Sequence, residues 1–150
     1  MSLRATTACC TTRYIRHQNN SVVTSVISSG SSTLDKNDGS WIVRRGLADN
    51  SCVSFESRNY PGDFLRHFNF QLLRQPMDGS TIFRQDATFC PEAGKSGTGT
   101  SFRSFNFPTR YIRHFNNTVY IASNGGSNAF DSATSWAADV SWAVSGPWAP

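Results

Sequence analysis

The sequence lacks the features that most directly mark a membrane protein or a zinc protein. No uninterrupted apolar run approaches the roughly 18 residues of a membrane-spanning helix, and no apolar segment follows a basic N-terminus. We therefore expect neither a membrane span nor a signal peptide within this chain. The four cysteines contain no Cys-x-x-Cys spacing, and we expect no metal site and no cofactor.

Lysine and long basic runs are also scarce. Of the 14 basic residues 12 are arginine, and the longest basic run is the pair Arg44 and Arg45, although the net charge is +4. A nucleic-acid-binding domain usually collects its basic residues on one face or along one helix. The scattered arginines therefore predict that nucleic acid is not a partner.

What the sequence does contain is typical of one folded unit. Its 150 residues are 38% hydrophobic and 13% aromatic, which is enough apolar surface to build a core. We expect a single domain spanning residues 1–150.

A block that reads aromatic, aliphatic, arginine, histidine occurs three times, at intervals of 50 and 47 residues. The copies occupy residues 14–17, 64–67 and 111–114. A serine-led block precedes each copy, at residues 2–5, 54–57 and 101–104, and an Asp-x-Ser/Thr-aromatic block follows, at residues 38–41, 86–89 and 139–142. Three blocks recurring in one order define three repeats, at about 1–50, 51–97 and 98–150.

Within each repeat, short apolar runs alternate with Asn, Gly, Pro and Ser, which is the pattern of strands and turns. Sustained helical spacing is absent. Three units of about four short strands favour a closed barrel with pseudo-threefold symmetry over a propeller, whose blades need more chain. The sequence therefore predicts an all-β protein with a β-trefoil fold built from three pseudo-symmetric repeats.

The cysteines suggest a compartment. Cys52 lies just before the opening strand of the second repeat and Cys90 just after its closing aromatic residue, so a disulfide between them would staple that repeat. Two buried free thiols are the alternative. Adjacent Cys9 and Cys10 could close a strained ring or stay reduced. An even cysteine count and two Asn-x-Ser/Thr sequons favour a secreted, extracellular protein.

The three histidines of the chain all occupy the same repeat position, and each is followed 19 to 25 residues later by the repeated aspartate. The pairs are His17 with Asp38, His67 with Asp86 and His114 with Asp139. A carboxylate accepts hydrogen bonds from adjacent sugar hydroxyls, and a neutral imidazole offers one donor and one acceptor. Phe68 and Phe115, beside two of the histidines, could form an apolar wall for a sugar ring. We predict sugar-binding pockets; a buried histidine that locks a barrel corner is the alternative.

Catalysis requires a different set of groups. A glycosidase uses two carboxylates that flank one bond, and a hydrolytic triad needs one activated nucleophile in one cleft. Each repeat offers only one repeated carboxylate. We therefore predict a binding protein that is not an enzyme, and we assign no catalytic residue.

The repeated blocks resemble those of carbohydrate-binding module family 42, the arabinofuranose-binding module at the C-terminal end of B-type α-L-arabinofuranosidases. The resemblance covers essentially the whole chain and rests on Ser-Phe-Arg-Ser at 101–104, Tyr-Ile-Arg-His at 111–114 and Asp-x-Ser-Trp at 139–142. It implies a β-trefoil that holds arabinofuranosyl side chains of arabinoxylan or arabinan, which are hemicelluloses, and so targets an attached glycoside hydrolase domain.

The resemblance also assigns site residues. It implies that His67 with Asp86, and His114 with Asp139, contact the furanose, with Phe68 and Phe115 at the pocket wall. The first repeat departs from this pattern. It carries a two-residue insertion, Thr11 where Pro108 stands in the third repeat, and Gln18 where the two phenylalanines stand. We therefore predict that the site of His17 and Asp38 is the weakest of the three.

Three other classes of protein remain open at this point, and one of them is a fragment of an arabinofuranosidase that retains activity. A free-standing β-trefoil lectin would bind other glycans with the same pockets and without an attached enzyme. A protein-binding trefoil, such as a protease inhibitor, would use one protruding loop, and the His-Asp pairs would then be structural.

Overall fold

Short antiparallel strands carry the fold, and the computed structural model describes all 150 residues. The strands are β1 (Ser2–Ala5), β2 (Arg13–Gln18), β3 (Ser21–Val26), β4 (Trp41–Arg45), β5 (Val53–Ser57), β6 (Asp63–Phe68), β7 (Gln71–Pro76), β8 (Phe89–Ala93), β9 (Thr100–Ser104), β10 (Tyr111–Phe115), β11 (Thr118–Ala122) and β12 (Trp142–Ser145). The helices are α1 (Thr33–Asp38), α2 (Thr81–Asp86) and α3 (Trp136–Asp139), with 3-10 turns at Ala8–Cys10 and Ala129–Asp131. None of these helices is long and apolar enough to cross a membrane.

The order of elements repeats three times as strand, strand, strand, helix, strand. The second and third strands of each unit form a hairpin with a two-residue turn, because Gln18 pairs with Ser21, Phe68 with Gln71 and Phe115 with Thr118. Asparagine begins each turn with a positive φ, which asparagine tolerates better than most residues. The sequence blocks therefore fall on equivalent elements.

The strands join in one antiparallel sheet, in the order β10-β11-β3-β2-β1-β12-β9-β8-β5-β6-β7, with β4 attached to β5. Further pairings of β10 with β9, β11 with β7 and β3 with β7 close the sheet. The all-β class is confirmed, but the predicted β-trefoil is wrong: the sheet is a closed barrel of ten antiparallel strands with two extra strands.

The reason for this error lies in which strand edges pair. The prediction treated each repeat as a unit of four strands, whereas several ladders cross the repeat borders. β1 pairs with β12, β4 with β5, and β8 with β9. Repeated sequence blocks identify equivalent positions, but they carry no information about which edges hydrogen-bond to one another.

The barrel core contains the aliphatic residue of each repeated aromatic-aliphatic-Arg-His block. Ile15, Leu65 and Ile112, each two positions before a histidine, are fully buried. Trp41 and Trp142, which close the first and third repeats, are also buried, and their indole Nε1 atoms donate to the carbonyls of Ile15 and Ile112 at 3.2 and 3.0 Å. Each such side chain contributes about 1.5–3 kcal/mol by leaving water, and it fixes the strand that carries the histidine.

Both cysteine pairs are joined. Cys52, directly before β5, is bonded to Cys90 in β8 across a separation of 38 residues, and Cys9 is bonded to Cys10. In the chain-entropy model, a loop of the first size stabilises a fold by about 3–4 kcal/mol. The Cys9–Cys10 bond joins adjacent residues and closes no loop, so any contribution it makes must come from its contacts with the residues around it.

Candidate functional site

Each of the three His-Asp pairs lies in a surface pocket of its own. The first pocket contains His17 and Asp38, the second contains His67, Phe68 and Asp86, and the third contains His114, Phe115 and Asp139. The His Nε2 to Asp Oδ1 distances are 3.4, 3.5 and 3.5 Å respectively. The cavities have volumes of about 560, 500 and 360 Å³. The structure therefore places all eight residues predicted for sugar binding in cavities, with one His-Asp pair in each of the three.

The aspartates are placed by the ends of the short helices. Asp38 and Asp86 are the last residues of α1 and α2, which begin at the capping hydroxyls of Ser32 and Ser80. The buried hydroxyls of the repeated serines then hold the following turn: Ser2 Oγ donates to Gly39 O and Ser54 Oγ to Ala87 O, both at 2.7 Å. The serine-led blocks thus position the carboxylates of the first two pockets.

The arginine that precedes each histidine pairs with the aspartate of the same pocket. Arg16 Nη2 lies 2.5 Å from Asp38 Oδ2, Arg66 Nη2 contacts Asp86 Oδ2, and Arg113 Nη2 lies 2.9 Å from Asp139 Oδ2. These arginine side chains are largely buried, and each leaves the Oδ1 atom of its aspartate facing the histidine. Paired in this way, a buried carboxylate keeps its charge and its orientation.

In each of the first two pockets, an asparagine from the following repeat contacts both the histidine and the aspartate. These two asparagines were not predicted from the sequence. Asn59 Nδ2 donates to Asp38 Oδ1, and Asn106 Nδ2 donates to Asp86 Oδ1, both at 2.8 Å. The amide oxygens of these asparagines accept from His17 Nε2 at 2.9 Å and from His67 Nε2 at 2.8 Å. The available signal was the shared Asn-aromatic-Pro triplet at residues 59–61 and 106–108.

The third pocket completes the same pattern with a residue from the start of the chain. Thr7 Oγ1 donates to Asp139 Oδ1 at 2.7 Å and lies 3.0 Å from His114 Nε2, from which it can accept. Thr7 belongs to the segment that carries the two-residue insertion of the first repeat. This segment therefore lines the third pocket through Thr7 and Cys9, and none of its residues lines the first pocket, where the sequence analysis placed the effect of the insertion.

We call the histidine, the aspartate, the arginine and the Asn or Thr of each pocket its polar frame. Burial lowers the pKa of His17, His67 and His114 below the ordinary value, so the imidazoles are neutral at neutral pH. Because each Nε2 faces an acceptor oxygen, the proton resides there and Nδ1 carries the lone pair. Arg74 Nη1 lies 3.2 Å from Nδ1 of His17. Nδ1 of His67 and Nδ1 of His114 have no such partner in the protein. Each of these atoms can therefore accept a hydrogen bond from a ligand.

The pocket walls differ more than the polar frames. Four apolar side chains line the second pocket, namely Phe68, Phe70, Ile82 and Phe107. Phe68 and Ile82 are more than half exposed, which is costly for apolar groups unless something covers them. An apolar wall beside a few fixed polar groups is the usual design of a small-molecule site.

The first pocket is mostly polar, because Gln18, Asn20, Asp35 and Arg74 line it, and Tyr60 is its aromatic wall. Tyr60 packs edge-to-face on His17 with ring centroids 5.4 Å apart, as Phe107 does on His67. Asp35, which the repeat pattern does not contain, also pairs with Arg16 at 2.9 Å.

The chain is similar to known proteins over nearly its whole length. Residues 3–144 match the "Alpha-L-arabinofuranosidase B (ABFB) domain" family. An alpha-L-arabinofuranosidase of Hypocrea jecorina is 56% identical over 149 residues, which is 99% of this chain and 30% of that protein. The alpha-L-arabinofuranosidase B of Aspergillus niger is 50% identical over 96% of this chain and 29% of its own length. The chain thus spans about a third of the length of these relatives.

Solved structures give the same result. An arabinofuranosidase complexed with arabinofuranosyl-alpha-1,2-xylobiose superposes with a TM-score of 0.98 at 50% identity, over 99% of this chain and 31% of that one. A mosquitocidal holotoxin superposes with a TM-score of 0.66 at 11% identity, over 95% of this chain and 16% of that one. At that identity the second similarity concerns the fold alone.

Proposed function

This chain belongs to the alpha-L-arabinofuranosidase B domain family and is a non-catalytic carbohydrate-binding module; from that membership we propose that its pockets hold the arabinofuranosyl side chains of arabinoxylan or arabinan. The module would keep an attached glycoside hydrolase domain close to its substrate. Such a substrate lies in the plant cell wall, so the protein that carries this module would act outside the cell.

One observation carries the assignment of the binding sites. The polar frame, with its aspartate, neutral histidine and arginine, occurs three times with distances that agree within 0.1 Å for the His-Asp contact. Each frame opens into a cavity, so the repetition supports three sites of one kind. A frame that served only to lock the barrel would need no cavity and no exposed apolar wall.

The second pocket illustrates how a furanose would be held. The carboxylate of Asp86 keeps lone pairs that its bonds to Arg66 and Asn106 do not use, and these can accept from two neighbouring hydroxyls. Nδ1 of His67 can accept from a third hydroxyl. Phe68 and Phe107 offer apolar surface to the C–H face of the ring. The pocket therefore offers acceptors on one side and apolar surface on the other.

Affinity electrophoresis tests the proposal. Gels that contain arabinoxylan should retard the module, whereas gels that contain the same xylan after enzymatic removal of arabinose should not. Equal migration in both gels would reject arabinofuranose as the ligand. A panel of other glycans in the same format would reveal a lectin of different specificity.

A further inference from the structure

The third pocket is lined by Phe115, but it lacks a second aromatic side chain that the other two possess, the one that directly follows the frame asparagine. In the first and second pockets, the residue after the frame asparagine is Tyr60 or Phe107, whose ring packs on the histidine. In the third pocket the residue after Thr7 is Ala8. The helix side of the pocket is also less apolar, because Ser135 stands four residues before the aspartate, where Ile82 stands in the second pocket.

The Cys9–Cys10 disulfide stands in the place of the missing wall. The two cysteines follow Ala8 directly, within the segment that is two residues longer than its counterparts. Cys9 is exposed and lines the third pocket, where Phe115 is the other apolar residue. Cys10 is partly buried and packs against the barrel core. One end of the disulfide is therefore anchored while the other faces the cavity.

We infer that the Cys9–Cys10 disulfide is a ligand-contacting wall of the third pocket, which receives the apolar face of the sugar ring where the other pockets use an aromatic side chain. The inference rests on the proposed function. A bonded cysteine has no S–H to donate, and its sulfur is apolar and polarizable, so it suits a C–H surface better than a hydroxyl. The bond between adjacent residues also limits the motion of the loop that carries the wall.

Single-pocket variants test this role. Asp38→Ala with Asp86→Ala leaves the third pocket, and Asp38→Ala with Asp139→Ala leaves the second. Each is titrated with methyl α-L-arabinofuranoside and followed by NMR chemical shifts. Replacing Cys9 and Cys10 together by serine should weaken binding about fivefold in the third-pocket protein, as expected for a small apolar contact. The same replacement should leave the affinity of the second-pocket protein unchanged.

The outcomes separate the inference from the proposed function. Unchanged affinity in the third-pocket protein, an equal loss in both proteins, or no binding by a third-pocket protein with both cysteines intact would each overturn the role of the disulfide. The proposed function survives all three results if the second-pocket protein still binds before the cysteines are replaced. It fails if neither protein with intact cysteines binds the glycoside.

A measurement that needs no cysteine variant covers the case in which the serine protein does not fold. The third-pocket protein is treated with dithiothreitol, and the new thiols are alkylated and counted by peptide mass. Saturating methyl α-L-arabinofuranoside should slow opening of the exposed Cys9–Cys10 bond severalfold. It should not alter the rate for Cys52–Cys90, whose residues are buried. An unchanged rate at Cys9–Cys10 would overturn the inference.

Discussion

The first and second pockets have nearly the same polar frame, but their walls differ in part. The histidine donates to asparagine at 2.9 Å in one and 2.8 Å in the other, and asparagine donates to aspartate at 2.8 Å in both. At the wall, however, Gln18 stands where Phe68 stands, and Arg74 contacts Nδ1 of the first histidine while the second has no such partner.

This difference indicates how a repeated fold can vary its sites. The polar frame depends on strand ends and helix ends that the barrel core fixes, so it changes little between repeats. The wall residues that differ between these pockets lie in and beside the hairpin turns, and Gln18 and Phe68 among them are exposed, so substitutions there cost the fold little. We therefore expect the frame to decide whether a pocket binds a sugar, and the wall to decide how tightly.

The largest expected effect comes from removing the frame carboxylates. Asp86→Ala and Asp139→Ala should each weaken the binding of arabinoxylan, and the double variant should lose most of it, about a hundredfold, because charge-assisted hydrogen bonds and multivalent contact disappear together. Asp38→Ala should weaken binding less, since Arg74 already contacts Nδ1 of His17 and leaves that atom less available to a sugar. Isothermal titration with an arabinofuranosyl oligosaccharide would give affinity and the number of sites.

Asp78→Ala is the matched control, because Asp78 is exposed and lies outside all three pockets. Asp86→Asn keeps the shape of the side chain and should retain the fold, which thermal unfolding would verify. A double variant that binds like the parent, or a stoichiometry of one, would return the His-Asp pairs to a purely structural role.

A smaller effect is expected from the aromatic walls. Phe107→Ala should weaken the second pocket about tenfold, because the ring is part of an apolar surface that a sugar would cover. Tyr60→Ala should weaken the first pocket less, since Arg74 lies 3.7 Å from the centre of the Tyr60 ring and already covers part of it. Single-pocket variants titrated with methyl α-L-arabinofuranoside would measure both. Equal losses would show that the two walls do not differ in function.

Much of the polar frame could be read from the sequence because it repeats. The histidines, aspartates and preceding arginines recur at fixed positions in blocks, and the aliphatic block residues Ile15, Leu65 and Ile112 are buried in the core. Periodicity of this kind reports equivalence of position, which is what a frame built on strand and helix ends requires.

The missing parts depend on contacts between repeats. Asn59, Asn106 and Thr7 complete pockets whose histidines belong to another repeat, and Thr7 lies 107 residues from His114 in the chain. No local pattern connects such residues. The β-trefoil arrangement of the strands was mispredicted for the same reason, since the pairing of β1 with β12 joins the two ends of the sequence.

Extending the apolar wall of the first pocket should produce a modest gain in affinity. Gln18→Phe gives this pocket the residue that the second has at the same position, and Gln18 is exposed, so the fold should tolerate the change. We expect affinity for methyl α-L-arabinofuranoside to rise about threefold in a protein that retains only the first pocket. The reverse change, Phe68→Gln in a second-pocket protein, serves as the control and should lower affinity by a similar factor. A first pocket that does not respond would mean that Arg74, and not the wall, limits it.

The smallest expected effect concerns the titration of His17. Burial lowers the pKa of this histidine, and the nearby Arg74 and Arg16 guanidinium groups lower it further, while Asn59 and Asp38 act in the opposite direction. Arg74→Met keeps the length of the side chain and removes its charge, so the pKa of His17 should rise toward its ordinary value. NMR titration of the imidazole would detect the change. Arg84→Met, which removes an equal charge from an exposed position outside the pockets, should leave the pKa of His17 unchanged.

The same titration has a consequence for stability. Unfolded histidine takes up its proton near pH 6.5, and the folded pKa values of all three histidines lie lower. The unfolded state therefore binds more protons as the pH falls through this range, so the free energy of unfolding should be constant above about pH 6.5 and decline below it. Arg74→Met should reduce the part of this decline that comes from His17, because its folded and unfolded pKa values then lie closer together. A decline of equal size in the parent and in Arg74→Met would show that Arg74 does not control the first histidine, and would remove one of the differences by which the first pocket is distinguished from the second.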